Sequence, residues 1–293
     1  MKILSLLILS FTSLFSKIDI ELSHTNIKHG TTFAVILQSD TKLTHAPNVI
    51  FKNKTYQMFT IGGNTKKYEL FLPVDYHSKK QKENLQVKYI EDGKVIKKNI
   101  SIDIIDGDYQ QNEIITVAKG KVTLSKSNKN RSKEEYSKVY KNVYSVITTT
   151  NQITKSTFDM PIDSKITSAY GNARVYNGTT KSYHTGTDFR AKVGTDIFAT
   201  NDGVVALVMD RFYLGKVIYL NHGRGMYSYY SHMSSFDVKK GQIVKKGDIL
   251  GKSGKTGRVM GPHLHYAVRL YNTTVDPLQF SSLHNEIVKM YHN

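Results

Sequence analysis

The sequence predicts a mostly β protein that has two domains with a helical segment between them. A chain of 293 residues is long enough for two domains of ordinary size. Runs of β-branched and aromatic residues, separated by turn residues, occur both before residue 106 and after residue 158. Residues 107–157 differ from both regions, because they are basic and contain apolar residues at helical spacing. We therefore expect a small antiparallel β-domain, an amphipathic linker helix and a second antiparallel β-domain.

Cysteine is absent from the chain, and basic residues are in large excess. The absence of cysteine excludes disulfide bonds, thiol catalysis and cysteine-ligated metal sites. The 41 lysines and arginines outnumber the 24 aspartates and glutamates and give a net charge of +17, which indicates an anionic partner. Nucleic acid, an anionic membrane surface and an acidic cell-wall polymer all fit this charge.

Met1–Ser16 has the pattern of a secretory signal peptide. Lys2 provides the positive charge, and the apolar stretch Ile3–Phe15 leads to a cleavage position after Ser16. At about 13 residues the apolar stretch is shorter than the roughly 20 that span a membrane. A buried N-terminal strand or an uncleaved anchor is the alternative. We expect export to the periplasm, no transmembrane segment, and a partner in the cell envelope rather than nucleic acid.

Residues 17–106 are predicted to form the N-terminal β-domain. Asp92-Gly93 lies between two strand-like runs and is typical of a β-hairpin, since both residues accept the positive φ angles of a type I′ turn. The predicted strands are Phe33–Leu37, Val49–Phe51, Tyr68–Leu72, Leu85–Ile90 and Val95–Ile105.

Residues 107–157 are predicted to be a basic linker with a helix over about residues 132–147. Ser132 and Glu135 have the spacing of a capping box, in which each side chain satisfies a backbone N–H of the first turn. Apolar residues then recur at helical spacing at Tyr136, Val139, Tyr140, Val143, Tyr144 and Ile147. We expect this stripe to pack against a neighbouring domain rather than to bind a glycan.

Histidines and one aspartate in the C-terminal β-region form the strongest candidate for a functional site. Residues two or four apart share a face of a β-strand, so an extended chain would place His184 beside Asp188 and His263 beside His265. Two histidines and one carboxylate are a normal zinc ligand set that leaves a position for water, and His232 is a further candidate acid or base. The residues alone do not decide which of His263 and His265 would bind the metal.

Residues 158–280 resemble the catalytic domain of the M23 (lysostaphin/LytM-type) zinc metallopeptidases of the bacterial cell wall. The resemblance depends on the order and spacing of five segments. They are Ile166–Gly171, Tyr183–Asp188, Val217–Gly223, Tyr230–Met233 and Thr256–His265, which are similar to the family's S-x-F/Y-G, H-x-G-x-D, H-G, Y-x-H-L and T-G…G-P-H-L-H patterns. The implied fold is a LytM-type antiparallel β-sheet, or hybrid sandwich, followed by a C-terminal tail over residues 281–293.

The resemblance also implies a role for each candidate residue. It assigns one zinc ion per chain to His184, Asp188 and His265. It places His232 and His263 beside the zinc-bound water as catalytic residues, which would polarise that water and stabilise the oxyanion.

The implied activity is hydrolysis of peptide cross-links in peptidoglycan by a monomeric exported enzyme, with Tyr170 near the cleft opening as a substrate contact. The partners would be the stem peptides. In a Gram-negative envelope the bond would be D-alanyl–meso-diaminopimelate, which makes the protein a D,D-endopeptidase with D,D-carboxypeptidase trimming of pentapeptides as an additional activity. A glycine bridge would be the target in a Gram-positive wall. The alternative is a latent or regulatory peptidoglycan-binding protein whose N-terminal domain blocks the cleft.

Overall fold

The computed structural model describes residues 18–146 and 156–291, and the chain is mostly β there, as predicted. The predicted signal peptide, residues 1–16, and residues 147–155 of the predicted linker lie outside the described residues. The chain divides into two compact units. The first is formed by the residues on either side of Asp108–Asn285, and the second by Asp108–Asn285 itself. Within the described ranges, no helix is long and apolar enough to cross a membrane.

The first unit consists of strands that form two sheets. Its strands are β1 (Ile18–Leu22), β2 (Asn26–Lys28), β3 (Thr32–Ser39), β4 (Asn48–Phe51), β5 (Lys54–Gln57), β6 (Phe59–Ile61), β7 (Asn64–Pro73), β8 (Gln81–Glu91) and β9 (Lys94–Ile105). One sheet has the order β1-β3-β7-β6 and the other β2-β9-β8-β4-β5. All neighbours are antiparallel except β2 and β9, which are parallel.

The predicted hairpin in this unit is confirmed. β8 and β9 pair on either side of a turn in which Asp92 and Gly93 both have positive φ, 47° and 74°. A type I′ turn requires this conformation at both positions. The two sheets pack against each other through buried rings, since Phe33 of β3 and Phe51 of β4 have centroids 5.5 Å apart. The core of the unit therefore lies between its sheets.

The second unit contains the other strands of the described chain. They are β10 (Glu113–Ile115), β11 (Ile166–Ser168), β12 (Ala173–Tyr176), β13 (Thr180–Tyr183), β14 (Thr187–Arg190), β15 (Asp196–Phe198), β16 (Gly203–Arg211), β17 (Gly215–Asn221), β18 (Met226–Phe236), β19 (Ile243–Val244), β20 (Ile249–Ser253), β21 (His263–Leu270) and β22 (Thr273–Val275). The large sheet has the order β11-β14-β21-β18-β17-β16-β19, with β15, β20 and β22 attached to it, and β10-β12-β13 is a separate sheet. β14, β21 and β18 are thus neighbours, and they contain most of the candidate site residues.

The predicted linker helix begins earlier than its sequence pattern indicates. Helix α1 spans Lys126–Val139, and a π-helical segment continues it over Tyr140–Tyr144. Ser125 caps the helix, because its side-chain oxygen accepts a hydrogen bond from the Asn128 backbone N–H at 3.2 Å. Ser132 lies inside the helix, so the predicted capping box is wrong.

Glu135 has a tertiary contact in place of the predicted cap. Its buried carboxylate accepts hydrogen bonds from the Phe212 backbone N–H at 2.9 Å and from Arg131 Nε at 2.6 Å. Val139 and Val143 are buried in one cluster with residues of β16, β17, β18 and β21. Part of the apolar stripe therefore packs against the large sheet of its own unit, as expected. Tyr136 and Tyr140 are exposed instead, and Ile147 lies outside the described residues.

The predicted C-terminal tail is mostly helical. Helix α2 spans Pro277–Tyr291. The Oδ1 atom of Asp276 accepts hydrogen bonds from the backbone N–H groups of Leu278 at 2.9 Å and Gln279 at 3.2 Å. Pro277 occupies the first helical position, where its missing N–H leaves no bond unmade. Asp276 and Pro277 thus mark the start of a helix, and the expectation of a tail from residue 281 onward is corrected.

Candidate metal centre and active-site cleft

Two neighbouring strands bring Asp188 and His265 together. β14 and β21 are antiparallel, and their register places Asp188 opposite His265. His263 lies two residues before His265 on β21 and therefore on the same face. On the other side of β21, Ser231 of β18 is paired with His265, and His232 is the next residue. The sheet register thus gathers these predicted site residues in one place.

His184 reaches the same place from a turn between β13 and β14. Its backbone N–H donates to the carbonyl of Asn172, and its own carbonyl accepts from Gly171, both at 2.8 Å. Gly186 allows the turn to approach β21 closely, since a Cβ there would lie 2.4 Å from the carbonyl oxygen of Tyr266. The segment is therefore not fully extended. Gly186 is required in it because a larger residue would collide with β21.

Three ligand atoms converge on one point. His184 Nε2 lies 2.9 Å from both Asp188 Oδ1 and His265 Nδ1, and the latter two atoms are 2.8 Å apart. His184 Nδ1 is 2.8 Å from the carbonyl oxygen of Ala169, which can only accept, so Nδ1 carries the proton and Nε2 carries a lone pair in the neutral ring. A lone pair facing a carboxylate oxygen at this distance needs a cation. The three buried side chains therefore fit a metal ion.

The second oxygen of Asp188 is held by an arginine. Asp188 Oδ2 accepts a hydrogen bond from Arg174 Nη2 at 2.8 Å. Arg174 also donates from Nε to Glu113 Oε2 at 2.8 Å and from Nη2 to Ser168 Oγ at 2.8 Å. Only 12% of the Arg174 side chain is exposed. The guanidinium thus fixes the carboxylate so that Oδ1 is directed toward the two histidines.

Burial and charge act in opposite directions within the cluster. Burial alone would raise the pKa of Asp188, but His184 and His265 beside it hold that pKa well below its ordinary value. Burial lowers the pKa of His265 to about 4, although Asp188 opposes this. At neutral pH the pair is therefore a carboxylate and a neutral imidazole, which are the forms that bind a metal ion.

His232 and His263 flank the cluster. His232 Nδ1 donates to the carbonyl of Thr256 at 2.8 Å, and His263 Nδ1 donates to the carbonyl of Gly261 at 2.9 Å. The two ring centroids are 4.7 Å apart, and His263 Nε2 is 3.7 Å from Asp188 Oδ1. Burial, aided by His263, lowers the pKa of His232 well below its ordinary value. With Nδ1 protonated, each neutral ring presents a lone pair on Nε2 that can accept a proton.

Residues 182–277, which include all five of these side chains, match Peptidase family M23. The chain contains a peptidase M23 domain. A solved structure of a Pseudomonas aeruginosa protein named as a peptidase M23 covers 89% of this chain and 96% of its own, with a TM-score of 0.63 and 23% sequence identity. At this identity the likeness shows a shared fold.

Curated relatives of the M23 domain have names that state an activity. ShyA of Vibrio cholerae, named a peptidoglycan DD-endopeptidase, is 38% identical over 122 residues, which are 41% of this chain and 28% of ShyA. Mpg of Neisseria meningitidis, named a DD-carboxypeptidase/endopeptidase, is 36% identical over 95 residues, which are 32% of this chain and 22% of Mpg. The match thus spans less than a third of the length of either relative.

The cleft of the M23 domain is lined in part by residues outside the matched range. Its lining includes Glu113, Arg174, Arg190, Arg258 and His263. Glu113 and Arg174 precede the matched range, which begins at residue 182. Glu113, Arg174 and Arg190 lie outside the five motif segments, and Arg258 lies within Thr256–His265 but is not one of its pattern residues. For Arg190 a signal was available, since it is two residues after a predicted ligand on a strand.

Tyr170 does not line the cleft of the M23 domain. Its side chain is 2% exposed, and its hydroxyl donates to the carbonyl of Thr274 at 3.1 Å. The Tyr109 ring packs against it edge-on, with centroids 5.9 Å apart. These contacts bury the side chain in this structure, and a contact between Tyr170 and the substrate stays a prediction.

Proposed function

We propose that this protein is an exported zinc endopeptidase that hydrolyses peptide cross-links of peptidoglycan in the periplasm. The proposal depends on one observation, the convergence of His184 Nε2, Asp188 Oδ1 and His265 Nδ1 beside two further histidines. The names of ShyA and Mpg support the substrate class. The signal-like pattern of Met1–Ser16 supports export.

His184, Asp188 and His265 would hold one zinc ion. Zinc with three protein ligands supplies Lewis acidity and a water whose pKa is about 7. Three ligands, rather than four, are typical of catalytic zinc sites, because the remaining position is open. Arg174 supports this role, since its bond to Asp188 Oδ2 leaves Oδ1 as the oxygen offered to the metal.

His232 and His263 would move the protons of the reaction. Each ring is anchored by an Nδ1–H bond to a backbone carbonyl, so Nε2 is the atom that can take a proton from the attacking water. The same atom can then return that proton to the leaving amine. A protonated ring can also donate a hydrogen bond to the oxyanion that develops on the scissile carbonyl oxygen.

We infer that the bond is the D-alanyl–meso-diaminopimelate amide, with trimming of pentapeptides as an additional activity. The name of Mpg combines the same two activities. In both reactions the carbonyl under attack belongs to D-alanine, and the leaving amine belongs to a D-configured centre. One cleft can therefore serve both reactions.

Mass spectrometry of muropeptides tests the proposed function. The zinc-loaded protein is incubated with purified sacculi, with His265→Ala as the control. We expect dimeric muropeptides to disappear and tetrapeptide monomers to increase in proportion, and shortened pentapeptides would add the carboxypeptidase activity. An unchanged profile with zinc bound would contradict the endopeptidase and favour the latent or peptidoglycan-binding alternative.

A further inference from the structure

The charges that line the cleft are unevenly paired. The lining contains the carboxylates of Glu113 and Asp188, and both contact the guanidinium of Arg174 at 2.8 Å. Arg190 and Arg258 line the same cleft. In the part of the chain that the structure describes, neither of these two arginines has an ion-pair partner. Two guanidinium groups of the cleft are therefore without an ion-pair partner, and its three arginines exceed its two carboxylates by one positive charge.

Arg190 lies one step along the sheet from the metal ligands. Side chains alternate along β14, so Arg190 points to the same face as Asp188, while Phe189 between them is buried on the other face. The register places Arg190 opposite His263, just as Asp188 is opposite His265. Two residues of a strand span about 7 Å. An exposed cation thus sits beside His263 at about that distance along the strand from the metal ligands.

Arg258 is held in place by two aromatic rings. Its guanidinium lies 3.8 Å from the ring centroid of Tyr176 and 4.5 Å from that of Tyr213. Its backbone N–H donates to the carbonyl of Tyr213 at 2.8 Å. Stacking uses the face of a guanidinium and leaves its N–H edge free, which is the edge that binds carboxylates. The rings therefore reduce the entropy that this side chain would lose on binding an anion.

We propose that Arg190 and Arg258 form a subsite for a substrate carboxylate next to the scissile bond. This rests on the proposed function and deepens it. In a D-alanyl–meso-diaminopimelate cross-link, the carbon bonded to the scissile nitrogen carries a carboxylate, and the same is true of a D-alanyl–D-alanine terminus. The corresponding carbon inside a glycine bridge carries another peptide bond. The unpaired arginines thus select a substrate with an anionic group on the leaving-amine side.

Chemically matched substrates test the subsite. Two muropeptide dimers are compared, one with the free carboxylate at this diaminopimelate carbon and one with the carboxamide. We expect the zinc-loaded wild type to cleave the carboxylate dimer with a kcat/KM about tenfold or more higher, because charge-assisted hydrogen bonds to the carboxylate are lost in the amide. Arg190→Gln and Arg258→Gln should each lower kcat/KM for the carboxylate dimer by about tenfold and leave the amide dimer almost unchanged.

Lys192→Gln is the matched control for charge. Lys192 is exposed and close to Arg190 in sequence, but it does not line the cleft. This variant should keep the wild-type preference for the carboxylate dimer. Equal cleavage of both dimers by the wild type, or an undiminished preference in both arginine variants, would overturn the subsite while leaving the endopeptidase intact.

Binding calorimetry with the same two dimers separates failure of the subsite from failure of the proposed function. If the zinc-loaded protein cleaves neither dimer, the proposed function fails, but the binding comparison still decides the subsite. Tighter binding of the carboxylate dimer that is lost in Arg190→Gln would support it. Equal binding of the two dimers, or no binding of either, would overturn it.

Discussion

At the scale of single residues, backbone carbonyls decide how the site histidines are used. The Nδ1 atoms of His184, His232 and His263 each lie within 2.9 Å of a carbonyl oxygen. A carbonyl accepts only a donor, so the proton is assigned to Nδ1 and the lone pair to Nε2. His265 differs, because its Nδ1 faces Asp188. The ring orientations therefore show that His184 would bind the metal through Nε2 and His265 through Nδ1.

Substitutions of His265 and His232 should separate metal binding from proton transfer. We expect His265→Ala to lose zinc and activity together, since one of the three protein ligands is removed. His232→Asn should retain zinc and lose about 10²–10⁴-fold in turnover, because a general acid–base group typically contributes that much. Asparagine suits the position, since His232 has a φ of 63° and asparagine tolerates this region. Metal analysis and muropeptide turnover, measured on the same samples, test both variants. A His232→Asn protein without zinc would contradict the assignment of His232 to proton transfer.

Arg174 should affect zinc affinity without contacting the metal. Arg174→Met removes the hydrogen bond to Asp188 Oδ2 and leaves Glu113 without its partner. Loss of such a supporting bond typically lowers metal affinity about 10–100-fold. Competition with a chromophoric chelator measures the zinc Kd directly, and Arg174→Lys should recover part of the affinity. Arg190→Met is the control, since Arg190 is on the same strand as Asp188 but no contact joins their side chains; an equal loss in both variants would contradict a positioning role.

At the scale of elements, the start of α1 is a sharp test of the helix boundary. Ser125 accepts the capping bond from Asn128, whereas Ser132 is inside the helix. We expect Ser125→Ala to lower the free energy of unfolding by about 1 kcal/mol, the typical value of an N-cap. Ser132→Ala, the same chemical change seven positions later, should leave it unchanged or raise it slightly, because alanine favours a helix interior. Urea denaturation compares the two, and a larger loss for Ser132→Ala would restore the predicted capping box.

The elements that could be predicted are those whose local signal agrees with their tertiary contacts. The long alternating strands and the Asp92-Gly93 turn needed no knowledge of the rest of the chain. The start of α1 could not be predicted, because Ser132 and Glu135 have the spacing of a cap while Glu135 bonds Phe212, far away in sequence. Short polar strands such as β5 could not be predicted, because they lack an apolar pattern. They are stabilised by pairing with their neighbouring strands.

The helix α2 could have been predicted, because its start signal is local. Asp276 and Pro277 are typical of the cap and first residue of a helix, and Phe280, Leu283 and Ile287 follow at helical spacing.

The candidate site could likewise be predicted only in part. Motif spacing predicts the five histidine and aspartate positions, but Arg174 and Arg258 reach the cleft only through strand pairing and loop packing. No local pattern contains that information.

At the scale of the whole molecule, the net charge of +17 concerns encounter with the proposed substrate, peptidoglycan, rather than cleavage. Peptidoglycan stem peptides carry free carboxylates, so a sacculus is a polyanionic surface. Exposed lysines such as Lys239, Lys240 and Lys245 contribute to this charge. Attraction between exposed charges is screened beyond the Debye length, which is about 30 Å at 0.01 M salt and about 3 Å at 1 M.

Binding of the protein to sacculi should therefore depend on the salt concentration and not on whether the protein is catalytically active. We expect the fraction of protein that sediments with purified sacculi to fall steeply as salt rises from about 0.01 M to about 1 M. His265→Ala should sediment as the wild type does at low salt, because it keeps the lysines and arginines and removes only a buried neutral ring. Arg190→Gln should also stay near wild type, since one charge among 41 basic residues has little effect on the long-range field. Retention that is constant across this range would mean that specific contacts, rather than the overall charge, hold the protein on sacculi.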